Sequence, residues 1–220
     1  MANTAILLGA GKGTRIGKKH KPFLILGNKP LLSYSLGIFN NCRFIDEIIV
    51  VVNKNKIEDA EHIVDGLRFD KKYRIISGGK TRQESVYKAI RSISNSEYVL
   101  VHDVARPFIT LGLVRKIFQA AKEYGAAIPA IPLRDTIKKG RDFVEETLDR
   151  DFLWEIQTPQ GFRYDLLNEA HNLAFKDKYT GTDDASLVER RGYKVKMVLG
   201  TRKNLKITYP LDIIIAESLV

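Results

Sequence analysis

Three glycines at alternate positions, Gly9, Gly11 and Gly13, follow a short apolar run and lead into a stretch rich in cations, with Lys12, Arg15, Lys18, Lys19 and Lys21. Glycines let backbone N–H groups turn toward an anion at close range, and Arg and Lys add full charges where backbone dipoles do not reach. The chemistry this suits is the holding of a phosphate chain. Two common templates for that task fail here. The pattern G-x-G-x-x-G finds Thr14 or Ile16 where its third glycine belongs. In G-x-x-x-x-G-K-[ST], Gly17-Lys18 is preceded by Lys12 in place of the first glycine and followed by Lys19. Taken alone, the stretch also reads as a glycine-rich turn from strand to helix with its bases in water.

Four further clusters change the balance. Gly78-Gly79-Lys80-Thr81-Arg82-Gln83-Glu84-Ser85, His102-Asp103-Val104-Ala105-Arg106-Pro107, Thr158-Pro159-Gln160 and Asn204-Leu205-Lys206-Ile207-Thr208 each place a donor or a cation in a loop. The first two follow apolar strand-like runs. In an open α/β sheet such loops gather at the carboxyl edge, where ligands bind.

The elements that must position these loops alternate. Strands are predicted at 5–8, 48–52, 73–76, 98–101, 126–131 and 195–199, with helices at 31–40, 56–67, 85–93, 111–124 and 164–174, from Asp183, and from Pro210. Ile48-Ile49-Val50-Val51-Val52 is a continuous aliphatic run, as in a strand buried on both faces. The β-α-β-α order predicts a mostly parallel, doubly wound sheet. Residues 133–157 break the rhythm: Lys139-Gly140-Arg141-Asp142 between strand-like segments predicts a hairpin, too polar for the core, that projects as an arm. The expectation is one domain over 1–220, carrying that arm.

Composition bounds the rest. The chain has 220 residues, 44% of them apolar, with 36 Lys and Arg against 26 Asp and Glu, a formal charge of +10. A basic chain suits nucleic acid, anionic lipid or phosphorylated small molecules, or has only a solvated charged surface. Cys42 stands alone, so no internal disulfide or cysteine zinc cage is available, and the four histidines lack ligand spacing. No secretory pattern or bilayer-length apolar run is present, so a cytoplasmic protein is expected.

The motifs "AGKGTR", "GGKTRQESV", "VHDVARPF", "DTIK", "LWEIQTPQGF", "TDDAS" and "NLKIT", in that order, resemble those of the 2-C-methyl-D-erythritol 4-phosphate cytidylyltransferases over nearly the whole chain. The related ribitol-5-phosphate cytidylyltransferases share several, and stand as the alternative. Ala105 before Arg106, "LWEIQTPQ" and "TDDAS" look closer to the methylerythritol branch. The resemblance implies a Rossmann-like nucleotidyltransferase fold and a Mg2+-dependent transfer of the cytidylyl group of CTP, the metal held mainly by the CTP phosphates and not by the protein. It implies catalytic roles for Arg15, Lys21, Arg150 and Lys206, the last two gripping the phosphate of the second substrate. CTP would be bound by Gly9, Ala10, Gly11, Gly13, Gly79, Lys80 and Ser85, and the second substrate by Asp103, Val104, Arg106, Thr136 and Thr158. Three of these have plainer readings: Ser85 as a helix N-cap, Asp103 as the cap of the turn before Pro107, and Arg150 in a surface salt bridge. The arm, with Thr136 and Arg150 at its ends, would complete the partner's site in a homodimer.

The chain also departs from the family pattern. The family's Pro-Lys-Gln loop appears as His20-Lys21-Pro22-Phe23, which leaves Lys18 and Lys19 as competitors for the role given to Lys21. Gly9 replaces a common alanine, a change expected to matter little. Lys80 stands where an acidic residue is frequent. A rival of another class, a nucleic-acid-binding protein, rests on the +10 charge alone.

Overall fold

The computed structural model describes residues 2–11, 13–17, 20–67 and 69–220. Lys12, Lys18 and Lys19 therefore lie outside the described residues, and Lys21 is the lysine of that loop whose surroundings are defined.

The chain runs β1 (Asn3–Leu8), a short ribbon of β2 (Ile25–Leu26) and β3 (Lys29–Pro30), α1 (Leu31–Asn40), β4 (Glu47–Val52), α2 (Ile57–Asp65), β5 (Lys72–Ser77) and α3 (Arg82–Ser92). It continues through β6 (Tyr98–Asp103), α4 (Leu111–Tyr124), β7 (Ala126–Pro132) and the hairpin of β8 (Ile137–Gly140) and β9 (Val144–Leu148). Last come β10 (Trp154–Ile156), β11 (Gln160–Arg163), α5 (Tyr164–Lys176), α6 (Asp184–Arg190), β12 (Lys196–Leu199) and α7 (Pro210–Glu217).

The central sheet has the order β5-β4-β1-β6-β11-β7-β10, with β12 also paired to β7. Pairings β4–β5, β1–β4, β1–β6 and β7–β12 are parallel, whereas β11 lies antiparallel between β6 and β7. Ala127 pairs with Gly161 and with Lys196, and Ala130 with Ile156 and with Leu199, so β10 and β11 share one edge of β7 and β12 takes the other. The sheet is thus mixed, although most of its strands run one way. Hairpin β8–β9 forms a sheet of its own.

Period-two burial explains why helices cover both faces. Ala5 and Leu7, with Ile48, Val50 and Val52, pack on the side of α1 and α4, against Leu36, Phe39, Val114 and Phe118. Ile6, Leu8, Ile49 and Val51 point the other way, toward Val86 and Ile90 of α3 and Leu167 and Ala170 of α5. With both faces covered, the parallel strands deliver the loops after β1, β5 and β6 to one open edge.

Helix α4 ends where Gly125 turns to φ +83° and its N–H closes the last turn on the Ala121 carbonyl. A side chain is strained in that left-handed conformation, and a Cβ there would also stand 3.0 Å from Leu166 Cδ1. Gly125→Ala is therefore expected to lose about 1–2 kcal/mol of stability. Urea unfolding tests this, and an unchanged midpoint would show that the turn does not need glycine.

Candidate functional site

The loops meet in a cleft of about 680 Å³, lined by Leu8 through Gly11 after β1, Asn53 after β4, Gly79 through Arg82 after β5 and Asp103 through Ala105 after β6. Gly13, Thr14, Arg15, Lys21, Pro22, Ser85 and Lys206 complete the wall. Of the residues singled out in the sequence, Gly9, Ala10, Gly11, Gly13, Arg15, Lys21, Gly79, Lys80, Ser85, Asp103, Val104 and Lys206 are brought together here. Arg82, Thr14 and Asn53 join them without having been singled out, although Arg82 lies inside one of the quoted clusters.

Three cations converge on the segment that follows β12. Lys21 Nζ donates to the Ile207 carbonyl at 3.0 Å, Arg15 stacks 5.6 Å from the centre of the Tyr209 ring, and Lys206 belongs to the segment itself. Burial, then the charges of Arg15 and Lys206, hold the Lys21 ammonium below the usual lysine range. A cation in that position gains most from an arriving anion.

Asp103 keeps this group together. It is 7% exposed, with Oδ2 2.6 Å from Lys206 Nζ and Oδ1 3.1 Å from Arg82 Nε. Burial alone would raise its pKa, but Arg82 and then Lys206 outweigh it and hold the carboxyl far below its usual range. The Asp103 N–H donates to Thr158 Oγ1 at 3.1 Å, and that oxygen is 3.0 Å from His102 Nδ1. Since Thr158 Oγ1 accepts from Asp103, its proton is free to go to His102 Nδ1. The imidazole then carries its own proton on Nε2, 3.3 Å from the Arg106 carbonyl. Burial pushes His102 down to about 4.

The glycine-rich turn after β5 is braced from within. Ser85 Oγ accepts from Gly79 N at 3.0 Å and donates to the Thr81 carbonyl at 2.8 Å, while Lys80 N donates to Glu84 Oε2 at 2.7 Å. Ser85 is not an N-cap: α3 starts at Arg82, and Thr81 caps it by accepting from Glu84 N. The hydroxyl of Thr81 satisfies the first turn, which frees Ser85 to shape the loop. Glu84, three residues after the Thr81 cap as in a capping box, does the same for Lys80.

Gly9 matters more than a change from alanine suggests. A Cβ there would stand 2.6 Å from Pro22 Cγ and 3.4 Å from the Val51 carbonyl. The glycine and the displaced proline beside Lys21 are two halves of one contact, because the ring occupies the space a methyl would need.

Four of the singled-out residues lie off the cleft wall. Thr158 is buried behind Asp103. Arg106 turns Nη1 onto the Asn204 carbonyl (2.7 Å) and Nη2 onto the Ile156 carbonyl (3.2 Å), tying the segment before Lys206 to the end of β10. Thr136 and Arg150 are exposed at the two ends of the hairpin, and Arg150 Nη1 donates to the Arg134 carbonyl. Among the described residues no group of three His, Cys, Asp or Glu could hold a metal. The one carboxylate on the cleft wall, Asp103, has both oxygens engaged by cations. This donor set does not fit a resident metal, although it leaves room for one carried in on a ligand.

Comparison with known proteins agrees with this geometry. The family model of IspD, 2-C-methyl-D-erythritol 4-phosphate cytidylyltransferase, matches residues 3–220. The chain is 43% identical over 218 residues to the enzyme of that name from Geobacillus kaustophilus, covering 98% of this chain and 96% of the relative. Among solved structures it is similar to the 4-diphosphocytidyl-2C-methyl-D-erythritol synthase of Anaerococcus prevotii, with a TM-score of 0.89, 32% identity and coverage of 99% and 95% of the two chains. The 2-C-methyl-D-erythritol 4-phosphate cytidylyltransferase of Thermus thermophilus follows with a TM-score of 0.79, 34% identity and coverage of 97% and 96%.

The buried His102 makes stability pH-dependent. Its folded pKa, about 4, lies below the ordinary 6.5, so the unfolded chain binds the proton more readily. The stability it contributes is complete above pH 6.5 and is lost as pH falls from there toward 4, about 3 kcal/mol in all. Denaturant titrations at successive pH values should show this fall, and His102→Gln should flatten it. An equally steep fall in the variant would place its origin elsewhere.

Proposed function

The chain belongs to the 2-C-methyl-D-erythritol 4-phosphate cytidylyltransferase family, and we propose that its cleft performs the family's reaction through the cations that Asp103 and the segment after β12 hold together. The enzyme transfers the cytidylyl group of CTP to 2-C-methyl-D-erythritol 4-phosphate, in the synthesis of isoprenoid precursors. The phosphate oxygen of the second substrate attacks the α-phosphorus, and pyrophosphate leaves.

Both reactants are anions. Two unit charges 4 Å apart repel by roughly 4 kcal/mol at an effective dielectric near 20, so charge compensation and alignment come before any nucleophile. A phosphate monoester is largely deprotonated near neutral pH and needs no general base. In this reading Arg15 and Lys21 stabilise the reacting α-phosphate and the departing pyrophosphate. Gly11 and Gly13 bring backbone N–H groups to the triphosphate beside Gly9 and Ala10, the Gly9 N–H being held by the Val51 carbonyl, and the turn of Gly79 and Lys80, braced by Ser85, faces the cytosine. Lys206 receives the phosphate of the second substrate, beside Asp103 and Val104. Arg106 and Thr158 serve that pocket from behind, by fixing the segment before Lys206 and the Asp103 backbone. A magnesium ion would be held by the nucleotide's own phosphates, since Asp103 has both oxygens engaged by cations, and would supply charge neutralisation there.

The observation that carries the assignment of roles is the convergence of Arg15, Lys21 and Lys206 on one segment at the mouth of the cleft. Magnesium-dependent pyrophosphate release from CTP, with methylerythritol phosphate and ribitol phosphate in parallel, is expected with the first alone. Lys21→Ala should lower kcat by about 10²–10³ while CTP binding changes little. An equal loss of CTP affinity would reassign Lys21 to ground-state binding.

Of the expected arm, 133–157, the last residues belong to the central sheet, where Trp154–Ile156 pair with β7; we further propose that the remainder, residues 133–153 around hairpin β8–β9, clasps a second copy, so that Thr136 and Arg150 complete the partner's site. Phe143, Val144 and Phe152 support this, since they are 87%, 64% and 81% exposed on an otherwise polar arm. Lys21→Ala and Arg150→Ala chains, each nearly inactive alone, should recover about a quarter of the activity when co-expressed, because half the dimers are mixed and carry one intact site of two. No recovery in a dimer of verified mixed composition would place both residues in the site of their own chain.

A further inference from the structure

Behind the cleft lies a chain of ion pairs that the reaction as described does not use. His171 Nε2 is 3.0 Å from Asp184 Oδ1, and Arg82 Nη1 donates to Asp184 Oδ2 at 2.8 Å. Arg82 Nε donates to Asp103 Oδ1 at 3.1 Å, and Lys206 Nζ to Asp103 Oδ2 at 2.6 Å. His171 and Asp184 are each 1% exposed and neither lines the cleft. They come from α5 and α6, elements that otherwise pack the far face of the sheet.

Burying two carboxylates around one guanidinium is a poor way to stabilise a fold, because apolar residues of the same volume commonly do as well. The chain has a geometric consequence instead. A guanidinium can grip a carboxylate with two parallel N–H groups, taking both oxygens. The bond from Nη1 to Asp184 fixes the angle of the guanidinium, and at that angle Arg82 meets Asp103 through Nε on Oδ1 alone. The second oxygen of Asp103 is left for Lys206.

We propose that Asp184, oriented by His171, is a positioning residue for the sugar-phosphate half of the reaction: by holding Nη1 it sets the angle at which Arg82 meets Asp103 and so leaves one oxygen of Asp103 to fix Lys206. Without Asp184 the guanidinium turns Nε and Nη2 onto both oxygens of Asp103, the grip that Arg74 has on Glu47, and Lys206 no longer has an oxygen to itself. The phosphate-binding ammonium is then placed loosely, while the glycine cradle, Arg15 and Lys21 stay where they are. This rests on the assignment of Lys206 to the second substrate.

Steady-state kinetics of Asp184→Asn, an isosteric change, test it in the pyrophosphate-release assay. The KM for methylerythritol phosphate should rise about tenfold to a hundredfold, the range for losing a charged hydrogen bond, with the KM for CTP within about twofold of the parent. In a Lys206→Met background, Asp184→Asn should add almost nothing, because the two act through one contact. His171→Phe keeps a ring beside Tyr87 but removes the donor to Asp184, and should move the same KM in the same direction by less. It keeps the test available if Asp184→Asn fails to fold. Equal changes in both KM values, full additivity with Lys206→Met, or an unmoved methylerythritol phosphate KM in the folded variants would overturn the proposal. Silence of the unaltered enzyme with methylerythritol phosphate would instead count against the functional reading on which it rests.

Discussion

Cations that must stand close together repel one another, and this repulsion is the constraint on which the rest of the cleft depends. Arg15, Lys21, Lys206 and Arg82 share one wall with a single carboxylate, Asp103. That carboxylate survives burial as an anion only because Arg82 and Lys206 each hold one of its oxygens. The dependence is mutual, since a buried carboxylate without partners would neutralise and leave the cations uncompensated. The net positive charge that remains is what two phosphorylated substrates can offset. Much of the chain's +10 charge lies elsewhere on the surface, so composition alone is a poor guide to what the protein binds.

The second organising feature is the segment from Asn204 to Tyr209, which has little regular structure of its own. Asn204 is fully buried and donates to Gln157 Oε1 and the Thr158 carbonyl, while Gln157 grips Thr201 through the Thr201 carbonyl and N–H. Arg106 adds a bond to the Asn204 carbonyl, and Asp212 Oδ2 accepts from the backbone N–H of Thr208 and Tyr209. A loop held by buried amide side chains on one side and a helix N-terminus on the other can present a lysine rigidly without being a strand or helix. This rigidity lets Ile207 offer a fixed carbonyl to Lys21 and Tyr209 a fixed ring to Arg15.

Local pattern made much of this legible. The aliphatic run in β4, the apolar faces of α1 and α4 and the turn of the hairpin follow from residue type and period, and α1 and α4 fall at their predicted bounds. The start of α3 was less legible. Thr81 and Ser85 are both plausible caps, and only the three-dimensional arrangement shows one hydroxyl on Glu84 N and the other on Gly79 N. The reversed strand β11, inserted between β6 and β7, was not legible either, because a short buried strand carries no mark of its direction.

By itself the sequence determined the alternation of strands and helices, the cation-bearing loops at strand ends and, through its motifs, the family and its reaction. Those properties are written in neighbouring residues, so they can be read along the chain. Tertiary structure alone decided that Gly9 is matched to Pro22, that Arg106 and Thr158 stand behind the cleft, and that Asp184, far from Asp103 in sequence, shares Arg82 with it. The reason is geometric. Which oxygen of a carboxylate a guanidinium takes depends on distances of a few tenths of an ångström between segments that the linear chain does not relate.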